Sequence, residues 1–174
     1  MEHSDNRRSE FRNAMARMSA AVNIVTSNGA AGRCGITVTA VCSVSDSPPT
    51  VLVCLNRSSA MNQVFKTNGV LAVNVLAADQ EEHARHFAGM TGVPMEQRFT
   101  EQHWGEGELA LPVLKHALAS LQGRITRADE VGSHTILIAE IDAISLRGEG
   151  SDSLVYFDRL FHSVPHQQAA VSHN

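Results

Sequence analysis

The chain has 174 residues, 18% of them charged, and a formal net charge of -4. This excludes a disordered polyelectrolyte and suits one ordinary domain, 1–174, able to bury its own core. Hydrophobic residues make up 43%, yet no apolar run reaches the ~20 residues of a membrane span, and no basic cluster offers a surface to nucleic acid.

Residues 1–15 are polar and carry both signs of charge, so no secretory signal is expected. Within this region Phe11, Ala14, Met15 and Met18 fall at i, i+3, i+4 and i+7, which predicts an amphipathic helix capped by Ser9 or an earlier polar residue. Val22 to Ser27 reads as a strand closed by the turn Asn28-Gly29, with Ala30 to Gly35 a loop. From Ile36 to Ser45 the pattern alternates. Ile36, Val38, Ala40, Cys42 and Val44 share one face, and Thr37, Thr39, Val41, Ser43 and Ser45 the other, so one long strand is expected. Asp46 to Pro49 makes a turn, and Thr50 to Leu55 reads as a strand buried on both faces.

Asn56 to Ser59 opens a short helix with Met61, Val64 and Phe65 on its apolar side, closed at Gly69 by a left-handed cap. Val70 to Leu76 is a strand. Asp79 with Glu82 resembles a capping box for a helix running to about Phe87. Thr91 to Pro112 is irregular, with Trp104 as its anchor. Ala119 to Thr126 and His134 to Ile144 are long strands joined by a polar turn, and Leu154 to Phe157 is the last strand before a polar tail after about Val164. Strands following one another without helical crossovers predict a mainly β protein, an antiparallel barrel or sandwich with peripheral helices. The three cysteines, Cys34, Cys42 and Cys54, form no CxxC pair. They are expected to be reduced, in a cytoplasmic protein, and packed as small hydrophobes in strands.

The familiar catalytic signatures are absent. Gly29, Gly32 and Gly35 do not make a dinucleotide fingerprint, and neither a phosphate-binding loop nor a nucleophile elbow occurs. His83 and His86 share a helix face, and His162 and His166 flank a proline. Neither pair has a third ligand at a suggestive spacing, so no metal is expected. Three features remain. Thr37, Thr39 and Ser43 form either a solvent-facing strand or a polar wall for a flat heteroaromatic ligand. Asn56 to Asn62 is either ordinary capping by Ser58 or Ser59, or a phosphate site at a helix start. His134 and His162 are structural or functional, with no nucleophile beside them.

At these residues the chain resembles the short-chain flavin reductases, the small components of two-component flavin-dependent monooxygenases. The runs that carry the resemblance are Gly35 to Thr50, Val53 to Asn62, Val73 to Leu76, His86 to Gly92, Met95 to Phe99, Val131 to His134 and Tyr156 to Arg159. Within the family, Ala84 to Gly92 and Pro112 to Lys115 look most like the branch serving 4-hydroxyphenylacetate hydroxylation. The reductases of pyrimidine degradation are a second relative. The resemblance implies a split β-barrel of antiparallel Greek-key type, a homodimer, and NADH-dependent reduction of exchangeable FAD or FMN. The reduced flavin would diffuse to a separate aromatic-hydroxylating oxygenase. It further implies that Thr37, Val38, Thr39 and Ala40 border the isoalloxazine, with Cys42 and Ser43 by the ribityl chain or phosphate. Asn56, Ser58, Ser59, Met61 and Asn62 would hold the phosphate side, and Phe87 and Ala88 would close the site. His134 and His162, with Tyr156 and Arg159, would receive the nicotinamide nucleotide, His134 and His162 being the catalytic candidates. Many members carry Asp where this chain has Ser133. A flavin-binding module without turnover is the alternative from another class.

Overall fold

The computed structural model describes residues 2–148 and 150–167; the expected polar tail from 168 on lies outside the described residues. The elements in chain order are α1 (Glu2–Ala16), β1 (Ala20–Ala21), β2 (Asn23–Ser27), β3 (Cys34–Val38), β4 (Val41–Asp46), β5 (Pro49–Asn56), α2 (Ala60–Asn68), β6 (Val70–Val75), α3 (Glu81–Phe87), β7 (Trp104–Glu106), β8 (Pro112–Leu114), β9 (Ala119–Val131), β10 (His134–Leu146), β11 (Ser153–Phe157) and β12 (Leu160–Val164). No helix among the described residues is long and apolar enough to cross a membrane.

Seven strands form one antiparallel sheet in the order β3-β2-β6-β9-β10-β5-β4. Strands β3 and β4 are neighbours in sequence but occupy opposite edges. The sheet therefore curls and stays open between them, which is a split barrel. This corrects the single strand expected over Ile36 to Ser45. The run breaks at Thr39 and Ala40, where Val41 N–H donates to Thr39 O (2.9 Å) in a tight turn. An alternating pattern carries no mark of such a corner, because both strands keep a period of two. A smaller sheet, β1-β11-β12, and a two-stranded β7-β8 ribbon complete the β structure.

Two cores form, one on each side of β2. Inside the curl lie Val25, Val53, Leu55, Phe65, Leu71, Val73 and Leu137, all at most 1% exposed. Outside it, Val22, Ile24 and Leu76 pack against Ala84, Phe87, Phe99, Trp104 and Leu154. Each such side chain contributes about 1.5–3 kcal/mol. Strand β2 is consequently buried throughout. Strand β5, expected to be buried on both faces, is buried on one: Val51, Val53 and Leu55 point inward, while Thr50, Leu52 and Cys54 are half-covered.

The helices follow their sequence signals unevenly. In α2, Ser59 Oγ accepts from Met61 N–H and Gly69 closes the helix at φ +69°. The α3 entry differs from the expected Asp79–Glu82 box. Gln80, buried, accepts from Ala77 N–H (3.1 Å) and donates to Lys115 O (2.9 Å), and a 3-10 turn over Ala78–Gln80 precedes the helix. Helix α1 forms, but its apolar stripe is left outside: Phe11 and Met18 are 62% exposed and Met15 43%. The cysteines lie in strands, yet only Cys34 is buried; Cys54 is half-buried and Cys42 exposed, because β4 is an edge strand.

Asn74 ties four strands together. Its amide donates to Ile24 O (3.1 Å), and its oxygen accepts from Leu114 N–H (2.9 Å) and Ser120 Oγ (2.7 Å), all in a fully buried setting. Asn74→Ala strands the Leu114 N–H without a partner and should cost about 2–3 kcal/mol. A urea-unfolding midpoint left within error of the parent chain would show that the network contributes nothing.

Candidate active site

The open rim of the curl carries two adjoining features. The first is a cavity of about 220 Å³ lined by Val22, Thr37, Val38, Thr39, Ala88, Met90, Tyr156 and Phe161. Its walls are the end of β3, the end of α3 and the β11–β12 hairpin. Helix α3 is anchored by Thr37, whose hydroxyl donates to Ala84 O (2.7 Å). It also sits close because position 35 has no side chain: a Cβ on Gly35 would lie 2.6 Å from Phe87 Cε1. Phe87 itself is 3% exposed and packs edge-on against Phe99 and at a tilt against Trp104, so it supports the cavity from behind while Ala88 faces it. Tyr156 and Phe161 meet edge to face at 5.2 Å, and the Arg85 guanidinium lies over Phe161 at 5.1 Å. None of the lining residues carries a charge. A small neutral cavity with aromatic walls suits a flat ring system.

The second feature is the junction of β5 and α2. The pairing of β10 with β5 places His134 opposite Asn56, and the tip of the β9–β10 hairpin lies beside Arg57. Arg57 N–H donates to Ser133 O (2.9 Å), and its Nη1 donates to Gly132 O (3.1 Å). Asn56 Oδ1 accepts from both Ser58 N–H and Ser58 Oγ (2.9 Å each). The Ser133 hydroxyl and His134 Nδ1 are 2.9 Å apart. The two features adjoin because Cys54 N–H donates to Ala40 O (3.0 Å), which brings the β3–β4 corner to within two residues of Asn56.

Several predicted residues lie elsewhere or are already engaged. Asn62 is 4% exposed and bonds Thr135 Oγ1 (3.0 Å); Met61 packs against the inner core; Ser59 caps α2. Cys42 and Ser43 pair with Leu52 and Val51, so β4 carries them away from Asn56. His162 pairs with Val155, on the face of the hairpin opposite Tyr156 and Phe161, with its Nε2 3.1 Å from Phe157 O. It does not meet His134, which lies on the other sheet. Arg159 donates to Asn13 Oδ1 (2.6 Å) on α1.

Phe161 and Met90 are lining residues that sequence reasoning missed. Phe161 belongs to β12, a strand that was not expected. The two-residue loop before it, Asp158-Arg159, has φ of +47° and +65°. That is the backbone of a tight hairpin turn, usually built from Asn and Gly, and neither residue is present to signal it.

Away from the rim, His83 stacks edge-on with His103 at 4.7 Å and faces His86 at 6.4 Å; its Nδ1 is buried without a partner. Among the described residues no His, Cys, Asp and Glu cluster has the geometry to hold a metal. A second cavity, about 290 Å³, opens at the far end of β3 between Arg33, Phe99, Glu101, Trp104 and Glu106. Its two carboxylates make it a poor host for a phosphorylated ligand.

Comparison with known proteins agrees with this fold. The model of the family described as "Flavin reductase like domain" matches residues 15–165. The 4-hydroxyphenylacetate 3-monooxygenase reductase component of Pseudomonas aeruginosa is 60% identical over 162 residues, 93% of this chain and 95% of that one. FMN reductase (NADH) RutF of Variovorax paradoxus is 47% identical over 90% of this chain and 86% of its own length. The solved structure of the NADH:FAD oxidoreductase SgcE6 of Streptomyces globisporus superposes with a TM-score of 0.80 at 32% identity, covering 89% of this chain and 92% of that one.

Burial pushes the Cys34 thiol up to about 12 and the Cys54 thiol above its usual range. A thiol reagent at neutral pH should therefore label Cys42 first and Cys34 only on unfolding; equal rates for all three would overturn the packing described. Burial, then the His103 and His86 rings, hold His83 below the usual imidazole range. The unfolded chain then binds a proton that the folded chain resists. Stability is full above about pH 6.5 and falls as the pH drops from there toward the folded-state value. His83→Gln should flatten that limb of the urea midpoint against pH; an unchanged slope would exclude His83 as its source.

Proposed function

Because this chain belongs to the flavin reductase family, we propose that it uses NADH to reduce free FAD or FMN and feeds a separate oxygenase, the one that hydroxylates 4-hydroxyphenylacetate. The supporting observation is the pairing of a neutral, aromatic-walled cavity with an adjoining strand–helix junction rich in hydroxyl, amide and guanidinium donors. One receives a ring, the other a phosphate. Flavin supplies the chemistry when bound, since its N5 takes a hydride from nicotinamide C4. The chain's task is to hold two rings face to face and to exclude other geometries.

The backbone of Thr37, Val38, Thr39 and Ala40 borders the ring, and Ala88, Tyr156 and Phe161 shape the space around it. Thr37 acts through its bond to Ala84 O, which fixes α3, rather than by pointing its hydroxyl at the ligand. Asn56 and Ser58 face the phosphate side, while Ser59, Met61 and Asn62 frame the junction. Cys42 and Ser43, on the exposed edge strand, take the least part. The nicotinamide nucleotide meets His134 and Tyr156.

His162 and Arg159 face away from the cavity of their own chain, so the reading assigns them to the cavity of a second copy. A homodimer is supported by the outer face of β5 and β10. There Leu52 opposes Ile138 and Cys54 opposes Ile136, all four apolar and only half-covered. The reading places the enzyme in the cytoplasm, beside the NADH pool, in keeping with its free thiols.

The test is NADH oxidation with catalytic free FAD or FMN, followed at the nicotinamide absorbance band. Turnover should scale with added flavin, and Tyr156→Ala or Phe161→Ala should raise the flavin KM about tenfold. No oxidation with either flavin would sink the enzyme and leave a binding module. Ile138→Glu should yield monomers in sedimentation velocity; a monomeric parent chain would remove the dimer.

A further inference from the structure

One carboxylate holds a cation from each end of α2: Arg57, at the β5–α2 junction, and Lys66, in the last turn of the helix. Glu130, near the end of β9, meets Arg57 Nη2 at 2.7 Å through Oε2 and Lys66 Nζ at 3.3 Å through Oε1. Arg57 gives its other terminal nitrogen to Gly132 O. Its fork is thus committed within the protein, although it stands beside Ser58 at the start of α2. All three side chains are partly exposed, at 48% for Arg57, 27% for Lys66 and 46% for Glu130. Pairs this open to water are weak and readily exchange partners. They therefore do little for the fold, and the placement of Glu130 opposite the junction calls for another role.

We propose that Glu130 is an affinity-setting residue: it competes with the flavin phosphate for Arg57 and Lys66 and keeps bound flavin exchangeable. This inference rests on the flavin reading above. A phosphate arriving at Ser58 draws Arg57 into a bidentate contact only by releasing Glu130, and it meets that carboxylate as a like charge. Affinity for the phosphate is held down while affinity for the ring is untouched. The role is one of positioning, because Glu130 acts through the two cations.

The experiment measures Kd for FMN and for riboflavin, which lacks the phosphate, by fluorescence titration of the full chain. Glu130→Gln should lower the FMN Kd about threefold to tenfold and leave riboflavin within about twofold. The gain should shrink in high salt and should vanish in an Arg57→Ala background, where there is no guanidinium to release. Glu108→Gln, which removes an exposed acid far from the junction, controls for net charge, and thermal midpoints verify folding of each variant. An FMN Kd that is unchanged or higher in Glu130→Gln, or a gain shared equally by riboflavin or by Glu108→Gln, overturns the proposal. If the parent chain binds neither FMN nor riboflavin, the flavin reading itself fails and this one with it. Binding of both flavins without the FMN-specific gain removes only the role of Glu130.

Discussion

Everything at the rim depends on one topological constraint. A single continuous stretch, Cys34 to Asp46, supplies both edge strands of the seven-stranded sheet. Strand β3 hydrogen-bonds to β2 and β4 to β5, so the short corner between them must span the gap between the edges. The sheet has to curl until two residues suffice. That curl creates the inner core, leaves a seam that no ladder closes, and sets the corner at Thr39 and Ala40 as the floor of the seam. A ligand lying along the corner meets main chain more than side chains. The residues around it can accordingly be small and neutral.

Buried polar groups fix the parts that the curl alone leaves loose. Asn74 joins β2, β6, β8 and β9 at the outer core, and Asn62 with Thr135 locks α2 to β10. Thr37 locks α3 to β3. Each is an amide or a hydroxyl satisfied inside the protein, and leaving any of their partners bare costs more than the bond itself contributes. Because these bonds are directional, they determine where α2 and α3 sit relative to the seam, which apolar packing would leave to slide. The same logic explains why Thr37 and Asn62, which look like ligand-facing residues, are turned inward.

The sequence was most legible where one local rule decided the outcome. Strands β2, β5 and β6 and helix α2 with its Gly69 cap follow from apolar runs and capping chemistry, within a residue or two at their ends. It was least legible where a long-range partner decided. The corner at Thr39 and Ala40 is invisible because alternation continues through it. Strand β12 is invisible because Asp158 and Arg159 adopt positive φ without Asn or Gly to announce it. Asn56 and His134 looked like separate leads, seventy-odd positions apart, until the β5–β10 register put them opposite each other. His134 and His162 looked like a pair, and pairing of β12 with β11 turned His162 outward. The resemblance to flavin reductases pointed to the region of the proposed site; where single side chains sit within it came only from strand register.

The chemistry asks for two opposed properties, and the layout answers by separating them. A ring that accepts a hydride becomes richer in negative charge, and a cation fixed beside it would speed the transfer but also hold the product. No lining residue of the cavity is charged, and the Arg85 guanidinium lies over Phe161 rather than in the lining, so in the proposed reading the reduced ring has no counter-charge in direct contact. Arg57 at the junction and Lys66 in the last turn of α2 are both shared with Glu130, and in the proposed reading a phosphate rather than the ring reaches them. Electrostatic attraction then acts on the end of the ligand that does not change during the reaction. That attraction, moderated by Glu130, acts on both oxidation states alike and does not favour retention of the reduced one. A shuttle that must surrender its product to another protein is better served by that division than by a tighter site.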